Sequence, residues 1–535
     1  MAGSSDTTPS WLLHEVVESC RRRGKDVFLA DSTGVELSGE RVLVSVLALR
    51  RALRRRLSTN DKRVGVLLPP SVGGALVNLA LAFDGRVAVG LNYTLTSRIL
   101  DACLASAGTR LVITSRRVLE RLPISIDAEL IFVEDLRESV SLSDKIIAAA
   151  TAKLPAGAVL RAIGRGRVPP SDLLTVVFTS GSSGQPKGVE LSYGNIQASV
   201  RSAEQVLLLR RDDILLGILP FFHVFGYVFS LWAPLALDVG IAYHPNPLEV
   251  GGVGTLCRQR GATILLTTPT FLRSYQRRGS PPDFASLELI IAGGERLAPE
   301  LADDVERTFG IRPVEGYGAT EVSSLVAANI PPARMVPGSG ALCREGTVGR
   351  PLPGIEVRVL DVDSGLPVAP GGSGLLWVSG PNVMQGYLGR PEETARVLRD
   401  GWYCTGDVVT IGADGGITIV GRLSRFAKIG GEMIPLDTVE AELCRLVATE
   451  DEGQPLAVVA VPDDFRGERL VVLHRPMQAS PAELRHAVIG AGFPPIYVPA
   501  AADFREVEDL PTTGTGKLDL VALNAMAAAL FAASA

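Results

Sequence analysis

The sequence predicts an α/β protein. It has a large N-terminal domain of two parallel-type α/β subdomains plus a small β-rich subdomain, followed by a small α+β C-terminal domain. Three observations carry this reading. At 535 residues the chain is too long for one ordinary hydrophobic core. As far as about residue 340, short apolar runs alternate with helical patterns, as in sheets covered by helices on both faces. Beyond that point the runs become shorter and are separated by turns.

In chain order, residues 40–57 read as a helix. Val46, Leu49, Leu53 and Leu57 share a face, and Arg50, Arg51, Arg54, Arg55 and Arg56 cover the rest as a solvated basic surface. "RVGVLLPP" (63–70) reads as a buried strand, "GGALVNLALAFDG" (73–85) as a helix and "RVAVGL" (86–91) as a strand. "TRLVIT" (109–114), "AELIFV" (128–133), "LLTVVFT" (173–179), "ATILLTT" (262–268) and "LELIIAG" (287–293) are further strands. "GIEVRVLD", "GLLWVSG", "WYCTGDVVTI" and "GGITIVGR" form the β-rich subdomain, at about 340–421. The remainder, 422–535, carries a helix "LDTVEAELCRLV", strands "LAVVAVP" and "RLVVLH", and a helix "PAELRHAVIGAG". The domain boundary is expected at 421/422.

Composition narrows the function class. Hydrophobic residues make up 46% and charged residues 21%, and a net charge of −5 gives no reason to expect nucleic acid as a partner. Six scattered cysteines without a CxxC pair, and five dispersed histidines, suggest neither a disulfide framework nor structural zinc. The N-terminus lacks a basic stretch leading into an apolar run, so a cytoplasmic location is expected. The stretch 214–243 is long enough to span a bilayer. Pro220, His223, Pro234 and Asp238 within it favour a buried core segment, with peripheral membrane contact left open.

The chemistry begins at "VVFTSGSSGQPKGVELS" (176–192), a Gly/Ser-rich loop after an apolar run. Pro186 before Lys187 and Gly188 after it break the Gly-Lys-Ser/Thr pattern of a Walker loop, and no GxGxxG is present. What remains is a set of backbone N–H groups with Thr179, Ser180, Ser182 and Ser183, flexible donors for a polyphosphate. Further on come "GYGATE" (316–321), "GTVGRPLPG" (346–354), "GWYCTGD" (401–407), "GR" (421–422) and "LPTTGTGKLD" (510–519).

With these motifs in this order, nearly the whole chain resembles the adenylate-forming superfamily of acyl-CoA synthetases, luciferases and peptide-synthetase adenylation domains. The resemblance implies two half-reactions. A carboxylate attacks the α-phosphate of ATP to give an acyl adenylate and pyrophosphate, and a thiol then displaces AMP. Two anions must meet in the first step, so the protein's work is charge neutralisation and alignment.

Roles implied by the resemblance fall on particular residues. Thr179, Ser180, Gly181, Ser182, Ser183, Gly184 and Lys187 would wrap the β- and γ-phosphates. Gly294, Glu295, Gly316, Tyr317 and Gly318 would form the adenine side, with Tyr317 stacked on the base. Thr320 would donate to the α-phosphate, and Glu321 would hold Mg²⁺. Asp407 would accept the ribose hydroxyls, with Arg422 beside it. Lys517 would neutralise charge developing between the carboxylate and the α-phosphate. The small domain of the family turns between the half-reactions about a pivot commonly occupied by Asp or Lys. This chain has Ser424 there, a departure that leaves the hinge residue open. Lys428, with Gly430 and Gly431, would face the site in the thiol-transfer pose.

Amino-acid-activating relatives need an acid for the substrate ammonium, and "LPFFHVFG" (219–226) has none. An acid without an amino group is therefore expected, with Phe222, Val224, Phe225 and Gly226 lining an apolar pocket and His223 at a gating position. Residues 63–95, 421–440 and 514–520 are most similar to the acyl–acyl-carrier-protein synthetase branch. This implies transfer of a long- or medium-chain fatty acid to the phosphopantetheine thiol of holo acyl carrier protein. Coenzyme A presents the same thiol and remains the alternative. A catalytically silent nucleotide- or acyl-binding homologue is a third reading, opposed by the presence of Lys517, Glu321, Asp407 and Thr320.

Overall fold

A computed structural model describes residues 10–122, 124–179, 186–429, 432–447, 454–463, 466–512 and 518–532. The architecture is α/β, with a large N-terminal and a smaller C-terminal domain, and the described residues form four sheets.

The seven-stranded sheet runs Gly386–Tyr387, Lys187–Ser192, Leu173–Thr179, Val87–Gly90, Arg63–Val66, Leu111–Thr114, Glu129–Phe132. Its last five strands are parallel, and the two at the other edge are antiparallel. The nine-stranded sheet is likewise parallel through its middle, from Val314–Tyr317 across Leu289–Gly293, Ile264–Thr267, Ile214–Gly217 and Gly240–Tyr243 to Val27–Asp31. Antiparallel strands close both of its edges. Every parallel strand of the seven-stranded sheet is one expected from the sequence, as are Ile264–Thr267 and Leu289–Gly293, whereas Val27–Asp31, Ile214–Gly217, Gly240–Tyr243 and Val314–Tyr317 are not. The antiparallel edge strands Lys187–Ser192 and Gly386–Tyr387 add what hydrophobic runs alone do not report.

The stretch 214–243 lies in the interior, as expected for a core segment. It divides into the strand Ile214–Gly217, the helix Val224–Tyr227, a π-helical turn Val228–Trp232, the helix Ala233–Ala236 and the strand Gly240–Tyr243. Pro234 cannot donate to the carbonyl four residues back. That carbonyl, on Ser230, instead accepts the Tyr243 hydroxyl at 3.0 Å. Trp232 and Tyr243 are fully buried, and no helix among the described residues is long and apolar enough to cross a membrane.

The helix expected at 40–57 spans Gly39–Arg56, with the Ser38 hydroxyl capping its first turn. One arginine departs from the expected solvated surface. Arg50 is buried, donating to the carbonyls of Phe83 (3.0 Å) and Ile163 (2.7 Å) beside Asp84. Two carbonyls, at the end of one helix and in a turn, are satisfied by a guanidinium.

The third sheet joins Glu356–Leu360, Ser373–Ser379, Trp402–Ile411, Leu398–Arg399 and Ile417–Arg422, all antiparallel. The C-terminal sheet contains the hairpin Phe426–Ile429/Glu432–Pro435 with Gly467–His474, Leu456–Asp463 and Phe504–Glu506. One of its faces packs on Leu436–Leu446 and Pro481–Gly490 and the other on Leu520–Ala532, so this domain has cores of its own.

Candidate active site

Two clusters of side chains meet where the third sheet abuts the end of the nine-stranded one. The hairpin Trp402–Ile411/Ile417–Arg422 sets Asp407 directly opposite Arg422. The buried Asp407 carboxylate accepts Arg422 Nε at 2.9 Å on one oxygen and the Tyr317 hydroxyl at 2.5 Å on the other. Burial and the adjacent carboxylate hold the Tyr317 phenol well above its usual range, so it stays a donor. The Asp407 charge likewise raises Arg422.

The second cluster centres on Tyr387. Its hydroxyl donates to Glu321 Oε1 at 2.8 Å, and its ring lies 5.1 Å from the Lys187 ammonium. Lys187 also pairs with Glu393 at 2.7 Å, while Arg390 bridges Glu393 and the Pro186 carbonyl. Tyr403 joins the clusters. Burial first, then the charge of Glu321 and the Tyr387 and Tyr317 phenols, push its own phenol well up, against an opposing effect of Arg422.

Backbone packing fixes the turn that carries Thr320 and Glu321. A Cβ on Gly318 would stand 1.4 Å from the Ser324 carbonyl oxygen, so only glycine fits. Ser323 and Ser324 have φ of 54° and 89° and are held against the main chain: Ser199 Oγ donates to the Ser323 carbonyl and Ser323 Oγ to that of Asn382. The Glu321 carbonyl accepts Met384 N at 2.8 Å. Among the described residues Glu321 forms no ion pair, and no group of three or more metal-ligating side chains occurs. A lone carboxylate of this kind fits Mg²⁺ shared with nucleotide phosphates, since that ion keeps water and takes few protein ligands.

Other expected site residues are placed as follows. Thr179 ends the strand Leu173–Thr179 and Lys187 starts the strand opposite it. Gly294 adopts φ 81° after Leu289–Gly293, and Glu295 accepts the Thr270 hydroxyl at 2.6 Å. Gly316 and Tyr317 close the strand Val314–Tyr317. Ser424 sits in the 3-10 turn Leu423–Arg425. Lys428 is exposed, 3.5 Å from Asp363. Ser180, Gly181, Ser182, Ser183, Gly184, Gly430, Gly431 and Lys517 lie outside the described residues.

The acyl-pocket expectation divides. Phe225 lines a cavity between the nine-stranded sheet and the helical run 224–236, together with Leu207, Leu215, Phe229, Leu237 and Leu325. All eighteen lining residues are apolar. Phe222 packs instead edge-on against Tyr93 (4.7 Å) and beside the His223 ring (4.5 Å), and Gly226 fills a space where a Cβ would lie 2.2 Å from the Pro220 carbonyl oxygen. Val224 is buried and is not among the cavity-lining residues.

Tyr387, Glu393 and Tyr403 were not singled out from the sequence, because their roles arise from contacts across scores of residues. Asp407 and Arg422 were reached through the family resemblance of "GWYCTGD" and "GR", and the hairpin sets them opposite each other.

Comparison with known proteins gives the family. Residues 16–388 match the AMP-binding enzyme family. The chain belongs to that family, the adenylate-forming enzymes. The match includes Tyr317, Glu321 and Tyr387 and ends before Asp407 and Arg422. This AMP-binding enzyme is 31% identical over 479 residues to a feruloyl-CoA synthase of Amycolatopsis sp, covering 88% of this chain and 90% of the relative. It is 26% identical over 542 residues to a long-chain-fatty-acid–CoA ligase of Bacillus subtilis (strain 168), covering 95% and 93%. Among solved structures, it superposes on the o-succinylbenzoate CoA synthetase MenE of Bacillus subtilis bound to its acyl-adenylate intermediate with a TM-score of 0.77. That match has 20% identity and covers 95% and 96% of the two chains. At this identity the likeness speaks to the fold.

Proposed function

We propose that this AMP-binding enzyme activates a fatty acid with ATP and passes the acyl group to a phosphopantetheine thiol. The observation that carries the choice of acid is the cavity beside Phe225, whose lining offers no polar side chain. A substrate ammonium there would be desolvated without a partner, at a cost of several kcal/mol. An aliphatic chain would gain roughly 25 cal/mol per Å² of apolar surface buried. The fatty-acid ligase of Bacillus subtilis among the relatives supports the same reading.

In the first half-reaction a carboxylate oxygen bonds to the α-phosphorus while the bond to the bridging oxygen of pyrophosphate breaks. Lys517, Thr320 and Lys187 neutralise the charge. Mg²⁺ held by Glu321 would contribute further neutralisation of the phosphates. Tyr317, Asp407 and Arg422 form the nucleoside side, where the ribose hydroxyls take over positions on the Asp407 carboxylate. In the second, a thiol attacks the acyl carbonyl and AMP leaves. Between them the small domain, residues 422–535, turns at Ser424 and presents Lys428 with Gly430 and Gly431.

Coenzyme A stands first as acceptor, because the relatives at 31% and 26% identity are both CoA enzymes by name. The similarity of residues 63–95, 421–440 and 514–520 to carrier-protein synthetases favours holo acyl carrier protein, which keeps it as the second reading. The test is fatty-acid-dependent exchange of pyrophosphate into ATP over acids of increasing length, followed by thioester formation with both thiols side by side. Exchange with hydroxycinnamic acids and with no fatty acid would reject the acid proposed here.

A further inference from the structure

One helix of this protein has its polarity reversed. The helix Leu142–Ala152 packs the Asp144 and Ala148 side against the helix Gly39–Arg56. Its opposite side presents Leu142 (72% exposed), Ile146 (60%) and Ile147 (42%), continued by Leu154 (40%) just beyond its end. An ordinary surface helix turns its apolar stripe inward. Isolated exposed aliphatics need no explanation, but four within thirteen residues form a patch.

The surroundings of this patch are basic. Lys145 and Lys153 are exposed on the same helix and just past its end. Arg21 reaches in from another helix to donate to the Leu154 carbonyl at 2.6 Å. The end of the helix Gly39–Arg56 contributes Arg51 and Arg55, while Arg54 turns to Asp84 at 3.4 Å. Asp144 is the carboxylate that both Arg51 (2.9 Å) and Arg55 (2.8 Å) share, leaving that trio one charge positive.

We propose that this face docks on a lipid bilayer bearing anionic headgroups. Aliphatic side chains at the crest of a helix, with lysines beside them whose stems can lie along the apolar surface, fit an interface where carbon enters the acyl boundary and ammonium stays among phosphates. A protein partner fits less well, because the cores of protein interfaces favour Tyr, Trp, Phe and Met, none of which occurs in residues 142–154, and are poor in Lys. A second copy of this chain in two-fold contact would bring the like charges together. The inference stands apart from which acid the enzyme activates.

The test is co-sedimentation of the full-length protein with vesicles of equal parts phosphatidylcholine and phosphatidylglycerol, against vesicles of phosphatidylcholine alone. The expected result is partition onto the mixed vesicles that falls as salt is raised. Lys145→Gln with Lys153→Gln should lower that partition about 30-fold, and Ile146→Asp should lower it at least as far. Both variants should keep wild-type thermal unfolding and wild-type turnover of a soluble short-chain acid. The indole introduced by Ile146→Trp should shift its emission to the blue with mixed vesicles only. Failure of the wild type to partition, or unchanged partition of both variants, overturns the proposal. So does a wild-type dimer that Ile146→Asp dissolves, or carrier-protein binding lost in these variants while vesicles are ignored.

Discussion

Tyr387 holds two opposite charges in register, its hydroxyl on Glu321 and its ring beneath Lys187. A phenylalanine keeps the ring and loses the hydroxyl. Tyr387→Phe is expected to lower adenylation at least tenfold and to raise the Mg²⁺ concentration needed for half-maximal rate, because Glu321 loses its orienting donor. Stability should fall by about 1.5–3 kcal/mol, the worth of one hydrogen bond to a charged group. Pyrophosphate exchange across a magnesium titration checks this; an unchanged magnesium dependence counts against it. Gly318→Ala tests the same turn from the backbone side. With a Cβ placed 1.4 Å from the Ser324 carbonyl oxygen, the turn must shift, and exchange should be lost in a protein that unfolds roughly 3 kcal/mol more easily. Motif residues such as Tyr317, Glu321 and Asp407 were legible because their chemistry sits in short, spaced words. Tyr387 and Glu393 were not, since a tyrosine and a glutamate become site residues only when the strand Gly386–Tyr387 pairs with Lys187–Ser192.

Among elements, the parallel strands of the seven-stranded sheet were legible because burial on both faces leaves an unbroken apolar run. The interior of 214–243 was not. Uniform hydrophobicity hides whether a segment is strand or helix, and the π-helical turn depends on Pro234 and on Tyr243 reaching Ser230. The buried Arg50 was hidden likewise, since a helical wheel does not report carbonyls offered by distant turns. The helix Leu142–Ala152 makes the prediction at this scale. Ser141 and Asp144 cap its first turn reciprocally, and Arg55, Arg51 and Ser141 hold the Asp144 carboxyl well below the usual carboxylate range. A pKa depressed on folding adds stability that is complete above the unfolded value, near pH 4, and is lost as pH falls below it. Asp144→Asn should therefore cost about 2 kcal/mol at neutral pH, and the gap from wild type should narrow below about pH 4. Denaturant melts across that range measure it, and a gap constant with pH would contradict the role given to Asp144.

At the scale of the whole molecule, two arginines mark where the small domain is held and where it is free. Arg422 binds back to Asp407 in the third sheet. Three residues later Arg425 is buried in the small domain, bonded to Asp437, Glu440 and the Val458 carbonyl, each at 2.6 Å. Only Leu423 and Ser424 lie between these anchorages, so a turn of one domain against the other has to be taken up there or break one of the anchorages. A small residue at 424 suits such a pivot as well as the Asp or Lys expected from the family pattern. Proline at this position would fix φ near −65° and push Leu423, the first residue of the 3-10 turn, out of its helical conformation. Ser424→Pro should leave each domain's own core intact and restrict the pivot to one arrangement of the domains. The two half-reactions would then separate, one kept within a few-fold of wild type and the other reduced at least 100-fold. Pyrophosphate exchange reports the first, and thioester formation from a preformed acyl adenylate reports the second. Equal effects on both, or no effect on either, would move the pivot away from Ser424.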